Sequence, residues 1–297
     1  MPYAIVFPGQ GSQHEGMARP WRRTPGYSRW ADANDLLGWD VARLGLQASA
    51  TELKDPYHCQ IALFVHHAVV LDGWRASAGE GPSVVAGHSL GEYDALFAAG
   101  VVDFASALRL VEARARHTSQ AAEAAPGTMV ACLGFDVQVV VAACERAGTF
   151  VANDNAPGQI VVAGSDDGLE QLRAELADER GKIIALEVGA AYHSPHMATA
   201  VAPLGAALDL TRFGPADIPV AANVDAELHQ APEEWPRLLR EQLVSPVRWR
   251  ETVITLAASG VTEVVELCAS PVLTGLVKRT APSLARRMVT TPEELSP

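Results

Sequence analysis

The sequence predicts an α/β protein: a mostly parallel sheet covered by helices, with a second, smaller sheet-and-helix unit inserted into it. Three observations carry this expectation. Short apolar runs alternate with helical patterns along the chain, the order that a parallel sheet with crossover helices requires. Residues 126–192 depart from that rhythm and read βαββαβ, the ferredoxin-like arrangement. Gly87-His88-Ser89-Leu90-Gly91 reads G-x-S-x-G between a short apolar run and a helical pattern, the context of a nucleophile elbow.

The elements follow in order. Tyr3–Phe7 is the first strand and ends in Pro8-Gly9-Gln10-Gly11-Ser12-Gln13. Asp55 to about Ala76 has long apolar helical periodicity, with His66 and His67 inside it. Ser83–Ala86 feeds the elbow, and Glu92–Ala99 is the helix that leaves it. Asp103 is placed to cap a helix running to Ala124, where Ala125-Pro126-Gly127 breaks it. Within the insert the expected elements are strand Met129–Phe135, helix Val137–Ala147, strands Thr149–Ala152 and Gln159–Gly164, helix Asp167–Glu179 and strand Lys182–Val188. Ser194-Pro195 then forms a cap and first-turn pair for a helix to about Leu210. Strands at Ile218–Val224 and Thr262–Leu267 return to the main sheet, and the tail after Pro282 reads as loose. The expected division is a core of residues 1–125 and 193–297 around a small subdomain, 126–192.

Composition narrows the function classes. The chain has 297 residues, 48% hydrophobic and 20% charged, which suits a globular protein with a large core. No apolar run is long enough to span a bilayer, so no membrane segment is expected. The first residues, Met1 to Phe7, lack a basic n-region, and no secretory signal is expected. Cys59, Cys132, Cys144 and Cys268 lack C-x-x-C spacing and fit reduced thiols in a cytoplasmic protein. A net charge of −12 argues against a nucleic-acid partner. The charge is uneven: eight basic against six acidic residues leave the segment from Arg237 onward at +2 and the remainder at −14. That cationic end suits an anionic partner, or is simply a set of solvated helix faces.

A serine nucleophile needs a base. His88 adjoins Ser89 in sequence, but neighbours in an elbow point away from the nucleophile. His66 and His67 sit in an apolar helix and read as packing or partly exposed residues. His193 lies at the seam between insert and core, just before the Ser194-Pro195 helix start, where a cleft would form. Arg114 borders the buried stripe of its helix; it reads as a surface arginine or, alternatively, as a fork for a carboxylate. Gly9-Gln10-Gly11 is no dinucleotide fingerprint, because His14 stands where a third glycine is required. No P-loop is present, and His193-Ser194-Pro195-His196 has no third metal ligand in view, so neither a bound cofactor nor a metal is expected.

Five segments occur in one order: Phe7-Pro8-Gly9-Gln10-Gly11-Ser12-Gln13, Gly87-His88-Ser89-Leu90-Gly91-Glu92, Leu110-Val111-Glu112-Ala113-Arg114, Tyr192-His193-Ser194-Pro195 and Gln242-Leu243-Val244-Ser245-Pro246-Val247. Together they resemble the malonyl-CoA:acyl carrier protein transacylase family, including the acyltransferases of polyketide synthases, from Phe7 to Leu276. The resemblance implies an α/β-hydrolase-like core with a ferredoxin-like subdomain. It further implies an S-malonyltransferase working through an acyl-serine in fatty-acid or polyketide biosynthesis, with malonyl-CoA and an acidic acyl carrier protein as substrate and partner. Carried over by position, it makes Ser89 the nucleophile and His193 the base. Gln10 and Leu90 would supply the oxyanion-hole N–H groups, Arg114 the grip on the malonyl carboxylate, and the Gln242 carbonyl the histidine's orientation. Tyr192 resembles the bulky residue of malonyl users, whereas Ala190 matches neither acyl-specificity pattern. Glu266-Leu267-Cys268-Ala269-Ser270-Pro271 departs from the family's E-x-G-P-G, at a loop that borders the family's cleft. An acyl-thioester hydrolase, a transferase of another acyl group and a silent docking subunit are the competing expectations.

Overall fold

A computed structural model describes residues 1–295. Ten strands occur among them: β1 (Tyr3–Phe7), β2 (Val84–Gly87), β3 (Thr128–Leu133), β4 (Phe150–Ala156), β5 (Gln159–Gly164), β6 (Lys182–Ala185), β7 (Val220–Ala221), β8 (Leu228–His229), β9 (Glu263–Leu267) and β10 (Ala285–Val289). Six of them form the main sheet in the order β10-β9-β1-β2-β7-β8. Every pair in it is parallel except β7–β8. The other four form a separate antiparallel sheet, β4-β5-β3-β6, the strand order of a ferredoxin-like unit.

Alternation along β1 explains how the main sheet is covered. Ile5 and Phe7 face one core with Val85, against Phe64 and Val65 of the helix Pro56–Ser77 and Leu108 and Val111 of the helix Phe104–Ala124. Ala4 and Val6 face a second core with Trp249, Val253, Leu273 and Val277. A parallel strand buried on both faces must be apolar throughout, which is why Ala4-Ile5-Val6-Phe7 shows no polar alternation. In the small sheet, one face packs Val130, Cys132, Ile160 and Val162 against helices Val137–Ala147 and Asp166–Glu175. Met129, Val161 and Ala163 turn the opposite way and join the main core. The second sheet therefore stands over the ends of the first.

Some boundaries differ from the sequence expectation. β4 extends to Ala156 through the polar run Asn153-Asp154-Asn155, with register shifts between Val151 and Asn153 and between Asp154 and Ala156. The Asp154 and Asn155 side chains have partners that no local pattern shows. Arg250 clasps the Asp154 carboxylate at 2.7–3.0 Å, and Asn155 Oδ1 meets His88 Nε2 at 2.8 Å. β3 ends at Leu133 because Gly134 turns the chain at φ 83°. β6 stops at Ala185, the second insert helix at Glu175, and β7 keeps only two residues. The tail after Pro282 is not loose: Ala285–Val289 pairs parallel with β9 as the edge of the main sheet.

At the elbow, Gly87 and Gly91 face each other so closely that a Cβ on Gly87 would overlap the Gly91 backbone, and one on Gly91 would overlap the Phe7 carbonyl. The strand-to-helix turn fits over β1 only without side chains there. Gly91→Ala is expected to cost on the order of 1–3 kcal/mol or more, read as a lowered urea midpoint. A midpoint equal to that of the parent would contradict this close approach.

Candidate active site

Parallel sheets gather ligands at the carboxyl ends of their strands. Here β1 ends at Pro8-Gly9-Gln10, β2 at His88-Ser89 and β7 just before Asn223. They open on a cleft of about 230 Å³ lined by Gln10, Ser89, Tyr192 and His193, with Met129, Val161 and Leu186 from the second sheet side. The small sheet thus supplies one wall and the strand ends the floor.

Ser89 sits at φ 55° and His193 also at φ 55°, both in the left-handed region that non-glycine residues avoid. Such conformations cost about 1–3 kcal/mol each and persist only where surrounding contacts enforce them. The result is a direct contact: Ser89 Oγ lies 2.7 Å from His193 Nε2. His193 Nδ1 lies 2.8 Å from the Gln242 carbonyl oxygen. A carbonyl can only accept, so Nδ1 carries the proton and Nε2 is left with its lone pair toward the serine hydroxyl. Burial and the Arg114 charge push the His193 imidazole down to about 3, while the Gln242 carbonyl opposes them. The histidine is therefore a neutral acceptor.

Arg114 is not a surface residue. Its side chain is 1% exposed, on the inner face of the helix Phe104–Ala124. It donates to Gln60 Oε1, to Ser89 Oγ at 3.0 Å and to Gln242 Oε1 at 3.4 Å, and its guanidinium carbon lies 5.7 Å from the centre of the Tyr93 ring. Its Nε–H has no partner, and among the described residues the guanidinium makes no ion pair with a carboxylate. Among the described residues, this buried cation stands beside a serine hydroxyl with no carboxylate in contact, an arrangement chemically suited to an anionic group.

The backbone supplies donors too. Among the described residues, neither the Gln10 nor the Leu90 N–H has a protein acceptor. The two segments approach closely, since a Cβ placed on Gly9 would lie 2.8 Å from the His88 carbonyl oxygen and 3.7 Å from the Leu90 nitrogen. Tyr192 is buried on the cleft wall, and burial pushes its phenol up to about 12. Ala190 is fully buried but does not line that cleft. In the divergent segment that begins within β9, the Glu266 carboxylate accepts from the Val272, Leu273 and Thr274 N–H groups at 2.7–2.8 Å, capping the helix whose Leu273 and Leu276 reach the cleft.

Several residues of the site carry no local signal. Asn223, Glu92 and Gln60 are buried partners of Ser89, Gln242 and Arg114 respectively. Only Glu92 falls within a quoted motif. His66 and His67 are fully buried beneath the elbow, with His67 Nδ1 3.1 Å from Asp94 Oδ2. They do not line the cleft.

Known proteins share this arrangement of chain. The acyl transferase domain family matches residues 4–292. A malonyl CoA-acyl carrier protein transacylase of Bacillus subtilis is 38% identical, over 98% of this chain and 94% of its own. The crystal structure of an acyl carrier protein S-malonyltransferase from Vibrio cholerae superposes with a TM-score of 0.95 at 35% identity, covering 99% of both chains. A type II PKS acyl-carrier protein in complex with its malonyl-transacylase gives 0.95 at 35% identity, over 99% of this chain and 98% of that one. With a matched family extending over nearly the whole sequence, and a fold and serine-centred cleft to accompany it, this chain belongs to the acyl transferase domain family.

Proposed function

We propose that this chain moves a malonyl group from malonyl-CoA to the phosphopantetheine thiol of an acyl carrier protein, through an ester on Ser89. The observation that carries this reading is Arg114, a buried guanidinium 3.0 Å from Ser89 Oγ with no carboxylate of its own. An acyl group with a free carboxylate completes that site; a neutral acyl group leaves the charge uncompensated.

In the first half-reaction Ser89 Oγ attacks the thioester carbonyl carbon while its proton passes to His193 Nε2. The C–S bond then breaks, and the same proton leaves with the CoA thiol. In the second half-reaction the carrier-protein thiol gives its proton to His193 and attacks the ester, returning the hydroxyl to Ser89. The Gln10 and Leu90 N–H groups face the oxyanion formed in each step, and such donors contribute about 3 kcal/mol apiece. The malonyl carboxylate at Arg114 also offsets one of the charges that depress the His193 imidazole, so substrate binding strengthens the base. Gln242 orients the histidine through a main-chain carbonyl, and no bound cofactor enters either step. Tyr192 on the cleft wall restricts room for a branch on the acyl group, with Ala190 packed behind that wall. A hydrolase that clears neutral acyl groups would use the same serine and histidine but has no need of the Arg114 grip, and the relatives named above favour transfer.

Carrier-protein docking fits the cationic end of the chain. Of its candidate cations, Arg250 is paired with Asp154 and Arg248 with Glu251. Lys278 and Arg279, at the end of the helix Leu273–Thr280, make no ion pair among the described residues, and Arg279 donates instead to Gln159 and the Pro157 carbonyl. They stand beside the cleft wall formed by Leu273 and Leu276. We read residues 126–192 as a subdomain inserted into a core of 1–125 and 193–297, because the antiparallel sheet is built from that stretch alone. Four buried free thiols favour a reducing, cytoplasmic setting. Among the described residues no helix is long and apolar enough to cross a membrane.

The direct test is intact mass after incubation with malonyl-CoA. The chain should gain one malonyl group, lose it on adding carrier protein, and gain nothing as Ser89→Ala; rapid release of free malonate without transfer would support the hydrolase. Arg114→Ala should cost about 2–5 kcal/mol in malonyl transfer and little with acetyl-CoA, and equal losses on both would remove the carboxylate grip. The pH profile of kcat/KM gives a third check. Because the base is held well below the ordinary imidazole value of 6.5, activity should persist as pH falls through 6.5, and Arg114→Ala should move the acid limb upward. A parent limb at 6.5 would contradict the depressed base. Reversing Lys278 and Arg279 should raise the carrier-protein KM by about tenfold at low salt and less at high salt; an unchanged KM would exclude that surface.

A further inference from the structure

The strained Ser89 conformation needs a cause, and its hydrogen bonds lead to one buried carboxylate. Ser89 N–H donates to Asn223 Oδ1 at 2.7 Å, and Asn223 Nδ2 donates to the Gly87 carbonyl at 2.7 Å. One amide side chain thus holds the elbow on both sides of the bend. The Ser89 carbonyl is held separately, by Gln242 Nε2 at 2.9 Å. Glu92, in the first turn of the elbow's own helix, accepts from both of those holders: the Asn223 backbone N–H donates to Oε1 at 2.8 Å, and Gln242 Nε2 donates to Oε2. All three side chains are buried, with Glu92 and Asn223 1% exposed and Gln242 0%.

We propose that Glu92 and Asn223 are positioning residues: they clamp Ser89 in its left-handed conformation and, through Gln242, fix the carbonyl that orients His193. This rests on the reading of Ser89 as the nucleophile. The geometry joins three segments distant in sequence. The elbow follows β2, Asn223 follows β7 and Gln242 closes the helix Trp235–Gln242. Glu92 is the carboxylate at which all three meet. Neither Glu92 nor Asn223 lines the cleft, so neither is placed to hold substrate. Their effect is on how the serine and histidine are presented. Burial pushes the Glu92 carboxyl up, while the Asn223 and Gln242 donors and the Arg114 charge hold it down. Removing either residue should lower the rate of Ser89 chemistry far more than it weakens malonyl binding, because Arg114 keeps its Gln60 partner and loses at most its long contact to Gln242.

The test compares the parent with Glu92→Gln, Asn223→Ala and Asn223→Asp in two assays. One is the single-turnover rate of Ser89 malonylation at saturating malonyl-CoA, with its KM. The other is labelling by a small alkyl fluorophosphonate, which needs the serine and histidine but carries no carboxylate for Arg114 to bind. For Asn223→Ala both rates should fall on the order of a hundredfold, with KM within about threefold of the parent. Asn223→Asp keeps an acceptor for the Ser89 N–H and should recover part of the loss. Glu92→Gln, which matches the parent in shape, should place an amide against one of its two donors and lower both rates by about tenfold. If Asn223→Ala does not fold, Glu92→Gln carries the test. Rates within about twofold of the parent in Glu92→Gln and in the folded Asn223 variants overturn the inference, as does a loss confined to KM. A parent protein that the fluorophosphonate fails to label at Ser89 takes the nucleophile reading and this inference down together.

Discussion

Everything at the cleft depends on one close approach: the turn after β2 passes over the end of β1 with no room for a side chain at Gly87 or Gly91. That approach places the Ser89 hydroxyl above the sheet in a conformation that a serine does not adopt unaided. It also leaves the Leu90 and Gln10 N–H groups on adjacent segments without an acceptor among the described residues. The strain is local, and its compensation comes from elsewhere in the chain. Asn223 and Gln242, more than a hundred residues away in sequence, supply the hydrogen bonds that fix the turn.

The electrostatics of the cleft are the second constraint. A guanidinium is buried beside the serine without a carboxylate, and the histidine is kept neutral by burial and by that same positive charge. Each arrangement is unfavourable by itself, and on the reading proposed above an anionic acyl group would relieve it. On that reading, selection for a carboxylate-bearing substrate would come from the fixed Arg114 charge. Stability is traded here for readiness, as is usual where a protein stores strain at a working site.

Much of the fold was legible because apolar periodicity reports burial directly. Tyr3–Phe7, Gln159–Gly164 and the helix Val137–Ala147 have the bounds that their patterns predict. The failures share a physical origin. Asn153-Asp154-Asn155 looks like loop in one dimension, yet it continues a strand because Arg250, His88 and the Val247 backbone, all far along the chain, satisfy those polar groups. Ala285-Arg286-Arg287-Met288-Val289 looks like a solvated tail, yet an edge strand exposes side chains on its outer side and needs only one paired edge. Arg114 looks like a helix surface residue because nothing in its neighbourhood shows that Gln60 and Ser89 fold over it. The elbow announced itself through two glycines, whereas Asn223, which holds it, left no local trace.

The central claim is spatial: an acyl group esterified to Ser89 has its carbonyl oxygen at the Gln10 and Leu90 N–H groups and its free carboxylate on Arg114. A crystal structure of the protein trapped with malonate on Ser89 tests this most directly. The account predicts both amides within hydrogen-bond distance of the ester oxygen, the carboxylate forked on the guanidinium, and His193 Nε2 still facing the ester. A malonyl group turned to solvent with Arg114 unengaged, or a His193 ring swung away from Ser89, would contradict it.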